Sequence, residues 1–208
     1  LSLRDRGLVA IDPQGRPIRE VAYEENDGRK TVLAVPADDT VLVWRTDDEG
    51  VEHRAELRTR DGERITRVRI GRSDTVVAST DQGNLYHWEL LPEVRLTEVA
   101  HVSPEPITAL EYTLGNITLV VGDARGDVSG WFRVREKEED TELHFVKAHS
   151  YPGQGVAIAA IGPSGGRAAW SRGCNGTRGP TRRFRSMRPS APPAPAQPRA
   201  CRDRCRAS

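Results

Sequence analysis

Cysteine is missing from residues 1–167; all three, Cys174, Cys201 and Cys205, fall in the last part of this 208-residue chain. A disulfide framework is thereby excluded from the body, which suits a reducing cytoplasm or a cysteine-poor periplasmic domain. Long apolar runs are missing too. The most apolar stretch, Val156–Ile161, has strand length, far below the roughly 18 residues a membrane helix needs. The N-terminus has no basic-then-apolar signal pattern and starts at Leu1, so the chain reads as an internal piece of something longer. Helical periodicity is nearly absent. Charge of one sign is lacking only on average. The net charge of +1 combines a body with 21 basic and 29 acidic residues and a segment, 168–208, with ten Arg, no Lys and one acid, Asp203. An acidic body disfavours nucleic acid and phosphate at long range, within the limits of ionic screening.

What the chain does have is a repeat. Trp44, Trp88 and Trp131 close the similar stretches TVLAVPADDTVLVW (31–44), TVVASTDQGNLYHW (75–88) and TLVVGDARGDVSGW (118–131). Each is a β-branched run, a turn rich in Asp and Gly, and a second run. A period of about 43 residues with four strands per unit predicts β-propeller blades. Strands are expected at Leu8–Asp12, Ile18–Tyr23, Arg54–Arg60, Ile65–Ile70 and Ile107–Tyr112, with Glu24–Lys30 as a polar connector. Asp12–Pro17 and Asp61-Gly62 supply turn residues. The two strands at Ile65 and Ile107 precede their tryptophans by nearly the same distance, which makes a chance repeat improbable. The predicted fold class is therefore all-β, a partial β-propeller of about four blades over residues 1–167, too few for a closed ring of seven and thus an open arc.

Ala100-His101 and Ala148-His149-Ser150 each lead into an apolar strand, the second ending in Gly162-Pro163-Ser164-Gly165. This order resembles the opening of a WD repeat and places His101 and His149 at blade starts. Arg45, Glu89 and Phe132 stand where the WD aspartate would be. The resemblance implies that the bracing polar network is lost and that blades hold by apolar packing. Read in order, Val9–Pro17, Ile107–Leu110, Leu119–Asp123 and Trp131–Arg135 resemble the soluble insertion of proteobacterial phosphate ABC transporter permeases, the long C-type permease subunit. That resemblance covers most of 1–167 and implies a non-catalytic domain facing the periplasm at the inner membrane. The partners it implies are a second permease, an ATPase and a periplasmic phosphate-binding protein, with membrane attachment through flanking helices that this chain does not contain. A free-standing WD-repeat scaffold binding proteins in the cytoplasm is the alternative, and a propeller enzyme with its active residues in other blades is a third reading.

Alternation stops at Arg167-Ala168-Ala169-Trp170. Residues 168–208 read either as a basic disordered tail or, the favoured reading, as GC-rich coding sequence translated out of frame, since the segment is Arg, Pro, Ala, Gly, Ser and Cys without Lys or Ile.

No residue pattern supports a catalytic, cofactor or metal site. Gly162-Pro163-Ser164-Gly165-Gly166 matches a nucleophile-elbow pattern, but no amphipathic helix follows, so it reads as a hairpin turn. His144 and His149, with Glu142 nearby, are expected on opposite strand faces, short of the ligands a metal needs. His87 reads as an outward strand residue. Asp38-Asp39, Asp47–Glu49 and Glu136–Asp140 read as solvated loops, and Gly153-Gln154-Gly155 lacks the rest of a dinucleotide fingerprint.

Overall fold

Isoleucine opens the first strand of every sheet, at Ile18, Ile65, Ile107 and Ile158, and from each the chain runs back and forth in antiparallel hairpins. The structure is a computed structural model. It describes residues 13–172 and 185–186, apart from 14, 27, 28, 48, 49, 114, 136–141, 154, 165 and 166. The first sheet is β1 (Ile18–Asn26), β2 (Arg29–Pro36), β3 (Thr40–Asp47) and β4 (Gly50–Arg58); the second is β5 (Ile65–Gly71), β6 (Thr75–Thr80), β7 (Asn84–Glu89) and β8 (Arg95–His101). The third is β9 (Ile107–Tyr112), β10 (Leu119–Asp123), β11 (Val128–Val134) and β12 (His144–Tyr151). A fourth, three-stranded sheet follows, with β13 (Ile158–Ser164), β14 (Arg167–Arg172) and β15 (Arg185–Ser186). The strands β1, β5, β9 and β13 neighbour one another along the inside of the stack.

The tryptophans mark equivalent positions in three dimensions. Trp44 pairs with Val32, Trp88 with Val76 and Trp131 with Leu119, each on the third strand of its sheet. Beside each of them the pairing with the fourth strand is broken by a bulge, between Arg45 and Thr46, His87 and Trp88, and Gly130 and Trp131. A bulge adds local twist; it directly precedes Trp88 and Trp131 and falls one residue beyond Trp44.

Packing is face to face. Leu33, Val35, Val41 and Val43 of the first sheet meet Val68, Ile70, Val76, Ala78, Tyr86 and Trp88 of the second. From its other face the second sheet gives Val77 and Leu85 to a cluster with Leu110, Leu119, Val121, Trp131 and Phe145 of the third. The third sheet in turn gives Ala109, Val120 and Val128 to Ile158 and Ile161 of the fourth. Both faces of an inner sheet are therefore buried, and β6 is buried almost continuously instead of at alternate residues. Each fully buried Val, Leu or Ile contributes about 1.5–3 kcal/mol.

Several sequence expectations shift. Glu24–Lys30 is no connector: β1 and β2 continue through it, with Glu24 opposite Thr31 and Asn26 opposite Arg29. Backbone pairing needs no apolar side chain, so polar residues extend the hairpin beyond its core. His101 and His149 do not start blades; they lie on β8 and β12, the fourth strands that close the second and third sheets. The chain completes one sheet on its outer strand immediately before the next begins, so a repeat counted from histidine is one strand out of phase with a sheet. Pairing also continues past residue 167, where β14 takes its register from β13, with Ile161 opposite Trp170. Ser164 faces Arg167 across this hairpin. Leu8–Asp12 and most of 168–208 lie outside the described residues.

Candidate interaction surface

At one end of the stack, the turns between second and third strands share three features in the first three sheets. The first is a tight turn closed by Asp39 N to Pro36 O (3.3 Å), Gly83 N to Thr80 O (3.3 Å) and Gly126 N to Asp123 O (3.1 Å). The second ties the turn to the residue before the sheet's opening isoleucine: Ala37 N to Pro17 O (3.2 Å), Asp81 N to Arg64 O (3.0 Å) and Ala124 N to Pro106 O (3.0 Å). The third is a left-handed residue at the same position, Asp39, Gly83 and Gly126, with φ of 59°, 74° and 86°. At Gly83 and Gly126 the backbone lies directly against the loop that leads to the next sheet, so that an added Cβ would fall 1.8 Å from Ser103 O and 2.2 Å from Val156 O. In the first sheet an aspartate does this work with its side chain: Asp39 Oδ1 accepts from Ile65 N at 3.0 Å and from Arg19 Nη2. Asp38 accepts from Arg16 at 3.2 Å and from Thr40 Oγ1 at 2.8 Å. Asp39 is thus a brace between the first and second sheets where the sequence suggested a solvated loop, while Asp38 stays exposed and bonds within the first sheet's own segment.

Polar bracing also persists deeper in the same end, beside the apolar packing that mainly joins the blades. Asp123 is buried; its Oδ2 accepts from Ser103 Oγ at 2.8 Å, and its Oδ1 accepts from the backbone amides of Arg125 (3.0 Å) and Asp127 (2.9 Å). Glu63 accepts from Tyr86 Oη (2.8 Å) and Asn84 Nδ2 (3.1 Å). Burial raises the Glu63 carboxyl's pKa, but these donors outweigh it and the net direction is down. The residue types matched a turn motif in the sequence; only the fold shows which carboxylates are buried against donors.

Between the second and third sheets lies a second polar cluster. His87, only 2% exposed, is not an outward residue, because the face of β7 that would meet solvent in an isolated hairpin meets the third sheet. Its Nε2 lies 3.1 Å from Arg133 Nη1, which can only donate, so the ring proton belongs on Nδ1. Nδ1 then donates to Thr97 Oγ1 at 2.6 Å, while that hydroxyl donates to His87 O at 3.0 Å. Burial, reinforced by the Arg133 charge, lowers the His87 pKa to about 3. Arg133 Nε meets Glu98 Oε2 at 3.5 Å, and Glu98 Oε1 accepts from Phe145 N at 2.8 Å.

His144 and His149 share a face after all. They pair with Val134 and Gly130, four residues apart on β11, because the bulge beside Trp131 absorbs one residue. Four residues of strand still separate them by about 13 Å, and among the described residues no group of three metal-ligating side chains is found.

At the opposite end, the first strands of three sheets converge on a cavity of about 260 Å3 lined by Tyr23, Glu24, Arg69, Glu111, Tyr112 and Asn116, among others. Arg69 donates through Nε to Glu111 Oε2 (3.1 Å) and through Nη1 to Glu20 Oε1 (3.1 Å). Asn116 Nδ2 reaches across from the third sheet to Glu24 Oε1 of the first at 2.6 Å. Tyr112 is pushed up to about 12, chiefly by burial; Arg133 opposes this and Glu24 adds to it. Sequence reasoning missed this site. The alternate charges of β1 and β5, Glu20, Arg67 and Arg69, were its only signal, and nothing local distinguishes them from a solvated strand face.

Three consecutive antiparallel meanders stacked face to face, with a fourth begun, define the chain as a stretch of β-propeller. Solved WD40 propellers share this arrangement of sheets. The chain is similar to the β-propeller domain of Cps50 (Swd1) from Myceliophteria thermophila, with a TM-score of 0.62 and 15% identity over 76% of this chain and 53% of that one. It is similar also to the C-terminal WD40 domain of Sif2 (TM-score 0.58, 16% identity, 76% of this chain and 43% of that one). Raptor from Chaetomium thermophilum matches with a TM-score of 0.58 and 14% identity over 77% of this chain and 15% of that one. The chain thus spans about half of these structures or less. No protein-family model matches it, and no curated protein matches it by sequence.

Proposed function

We propose that this chain is part of a non-catalytic scaffold that binds other proteins. The observation that carries this reading is the stack itself. Both faces of the second and third sheets are consumed by packing between neighbours, so what these sheets leave for function is the rim of turns and the inner strand ends, surfaces suited to a protein partner. The similar solved WD40 domains support the fold on which this rests. The test is affinity capture with the whole chain as bait, followed by titration of the purified pair. A saturable one-to-one complex is the expected result; enrichment no greater than with the unfolded chain refutes the reading.

A narrower reading stays a proposal. Of the segments that resemble the phosphate permease insertion, Val9–Pro17 lies largely outside the described residues, and Ile107–Leu110, Leu119–Asp123 and Trp131–Arg135 fall largely on three neighbouring strands of one sheet. Its partners would be the second permease, the ATPase and the phosphate-binding protein of such a transporter, at the periplasmic side of an inner membrane. No helix among the described residues is long and apolar enough to cross a membrane. Co-purification of those subunits with the full-length gene product supports this reading; a gene product without membrane spans overturns it.

A further inference from the structure

Tyr86 and Ser129 hold the same place in neighbouring sheets. Each lies two residues before its tryptophan, and they pair with Ala78 and Val121 on the second strand. In the second sheet the ring of Tyr86 fills the space between the turn and the loop that enters the sheet. It is 1% exposed and stacks on Trp88 with centroids 5.5 Å apart. Its hydroxyl accepts from Arg60 N at 3.2 Å and donates to Glu63 Oε1 at 2.8 Å. In the third sheet Ser129 has no ring, and its Oγ is turned to Trp131 Nε1, from which it accepts at 2.8 Å. A slot of about 80 Å3 remains there. Its walls correspond to those around Tyr86. Val121 stands for Ala78, and Val102 stands for Arg60, each five residues before the isoleucine that opens its sheet.

Such a slot is too small for a free metabolite, whose sites run to about 300–1,000 Å3; it suits the end of one side chain. Val102, Pro104 and Val121 give it an apolar wall. On another side stands the exposed Lys147, whose ammonium lies 5.1 Å from the Trp131 ring centroid and has no ion pair among the described residues. A second ring can share that cation. Asp127 accepts from Gly153 N through Oδ1, and its Oδ2 accepts no hydrogen bond among the described residues. An apolar wall, a cation beside it and a carboxylate oxygen able to accept a proton donor together suit a phenol.

We propose that this slot receives a tyrosine side chain from a partner protein, its ring against Val102 and Val121 and its hydroxyl donating to Asp127. The partner would thus supply from outside the ring that Tyr86 supplies within the second sheet. The proposal rests on the scaffold reading and names the chemistry of one contact within it.

The test uses amide spectra of the whole 15N-labelled chain titrated with the Nα-acetyl amides of tyrosine, phenylalanine and leucine. Saturable shifts at Ser103, Ser129 and the Trp131 indole are expected with tyrosine, binding about tenfold weaker with phenylalanine, and none with leucine. Ser129→Tyr, which copies the second sheet, should stay folded and abolish the shifts. Lys147→Ala, at an exposed position, should weaken binding about threefold, and it decides the matter if Ser129→Tyr does not fold. No saturable shifts with tyrosine, equal shifts with leucine, unchanged binding in a folded Ser129→Tyr, or unchanged binding in Lys147→Ala overturns the proposal. Absence of amide binding with partner capture intact defeats the slot assignment alone. Amide binding with failed capture supports the slot and defeats the scaffold reading.

Discussion

Replacing Gly83 by alanine tests the way neighbouring sheets are joined. Gly83 has φ of +74°, and its missing Cβ would fall 1.8 Å from Ser103 O and 2.8 Å from Ser103 C. These are backbone atoms of the loop leading into the third sheet, so no rotamer change relieves the contact. The left-handed conformation alone costs a non-glycine residue about 1–2 kcal/mol. Displacing the loop also strains two hydrogen bonds to Gly83 O, from Val102 N (2.9 Å) and Ser103 N (3.2 Å), each contributing about 1 kcal/mol. The expected loss is about 3–4 kcal/mol. Gly62 provides the control: its φ is +84° and nothing lies within 4 Å of its missing Cβ, so Gly62→Ala should cost only the conformational part, about 1–2 kcal/mol. Urea unfolding of both variants and the parent measures the difference. With a slope near 2 kcal/mol per molar urea, the two midpoints should differ by about 1 M. Equal midpoints would falsify the claim that the loop is locked by close backbone approach.

Three further outcomes follow from the buried polar groups. His87 has a folded pKa near 3 against an ordinary 6.5; the unfolded chain therefore binds the proton first. The stability that neutral His87 supports is complete above pH 6.5 and declines as pH falls towards 3, by about 1.4 kcal/mol per unit within that window. Comparing urea midpoints at pH 7 and pH 5, His87→Gln should lose less stability on acidification than the parent, and an unchanged pH slope counts against the assignment. Arg45 is 1% exposed, and among the described residues its ion pair is to Asp74 at 3.4 Å, with Nε and Nη2 lacking hydrogen-bond partners among them. Arg45→Met should therefore be neutral or stabilising in thermal unfolding, and a loss above about 2 kcal/mol would contradict this. Glu98→Ala removes the acceptor of Phe145 N and leaves Arg133, whose side chain is 16% exposed, without its carboxylate. A loss of about 3 kcal/mol is expected from chemical denaturation, and a loss below about 1 kcal/mol would show that the pair is dispensable.

The turn chemistry was legible because it is local. Asp39, Gly83 and Gly126 occupy the same place in three similar stretches, and a left-handed residue in a tight turn is chosen by its own backbone. The tryptophan register was legible for the same reason: strand, turn and strand lengths are carried by contiguous residues. His87 was misread because alternation describes one hairpin, and a hairpin contains no information about what covers its second face. His144 and His149 were assigned to opposite faces because a bulge opposite Gly130 changes parity without leaving a mark in the residue count. The inner cavity was invisible for a stronger reason, since Glu24 and Asn116 meet across two sheet interfaces.

The sequence by itself determined the period, the meander of strands, the turn positions and the class of fold, because these follow from residue patterns within one repeat. Only the tertiary structure decided which polar residues are buried, how Asp39, Asp123 and Glu98 tie one sheet to the next, and where Glu24 and Asn116 meet beside a cavity at the inner strand ends. Those features depend on the stacking of whole sheets, where residues far apart in the chain replace water for one another.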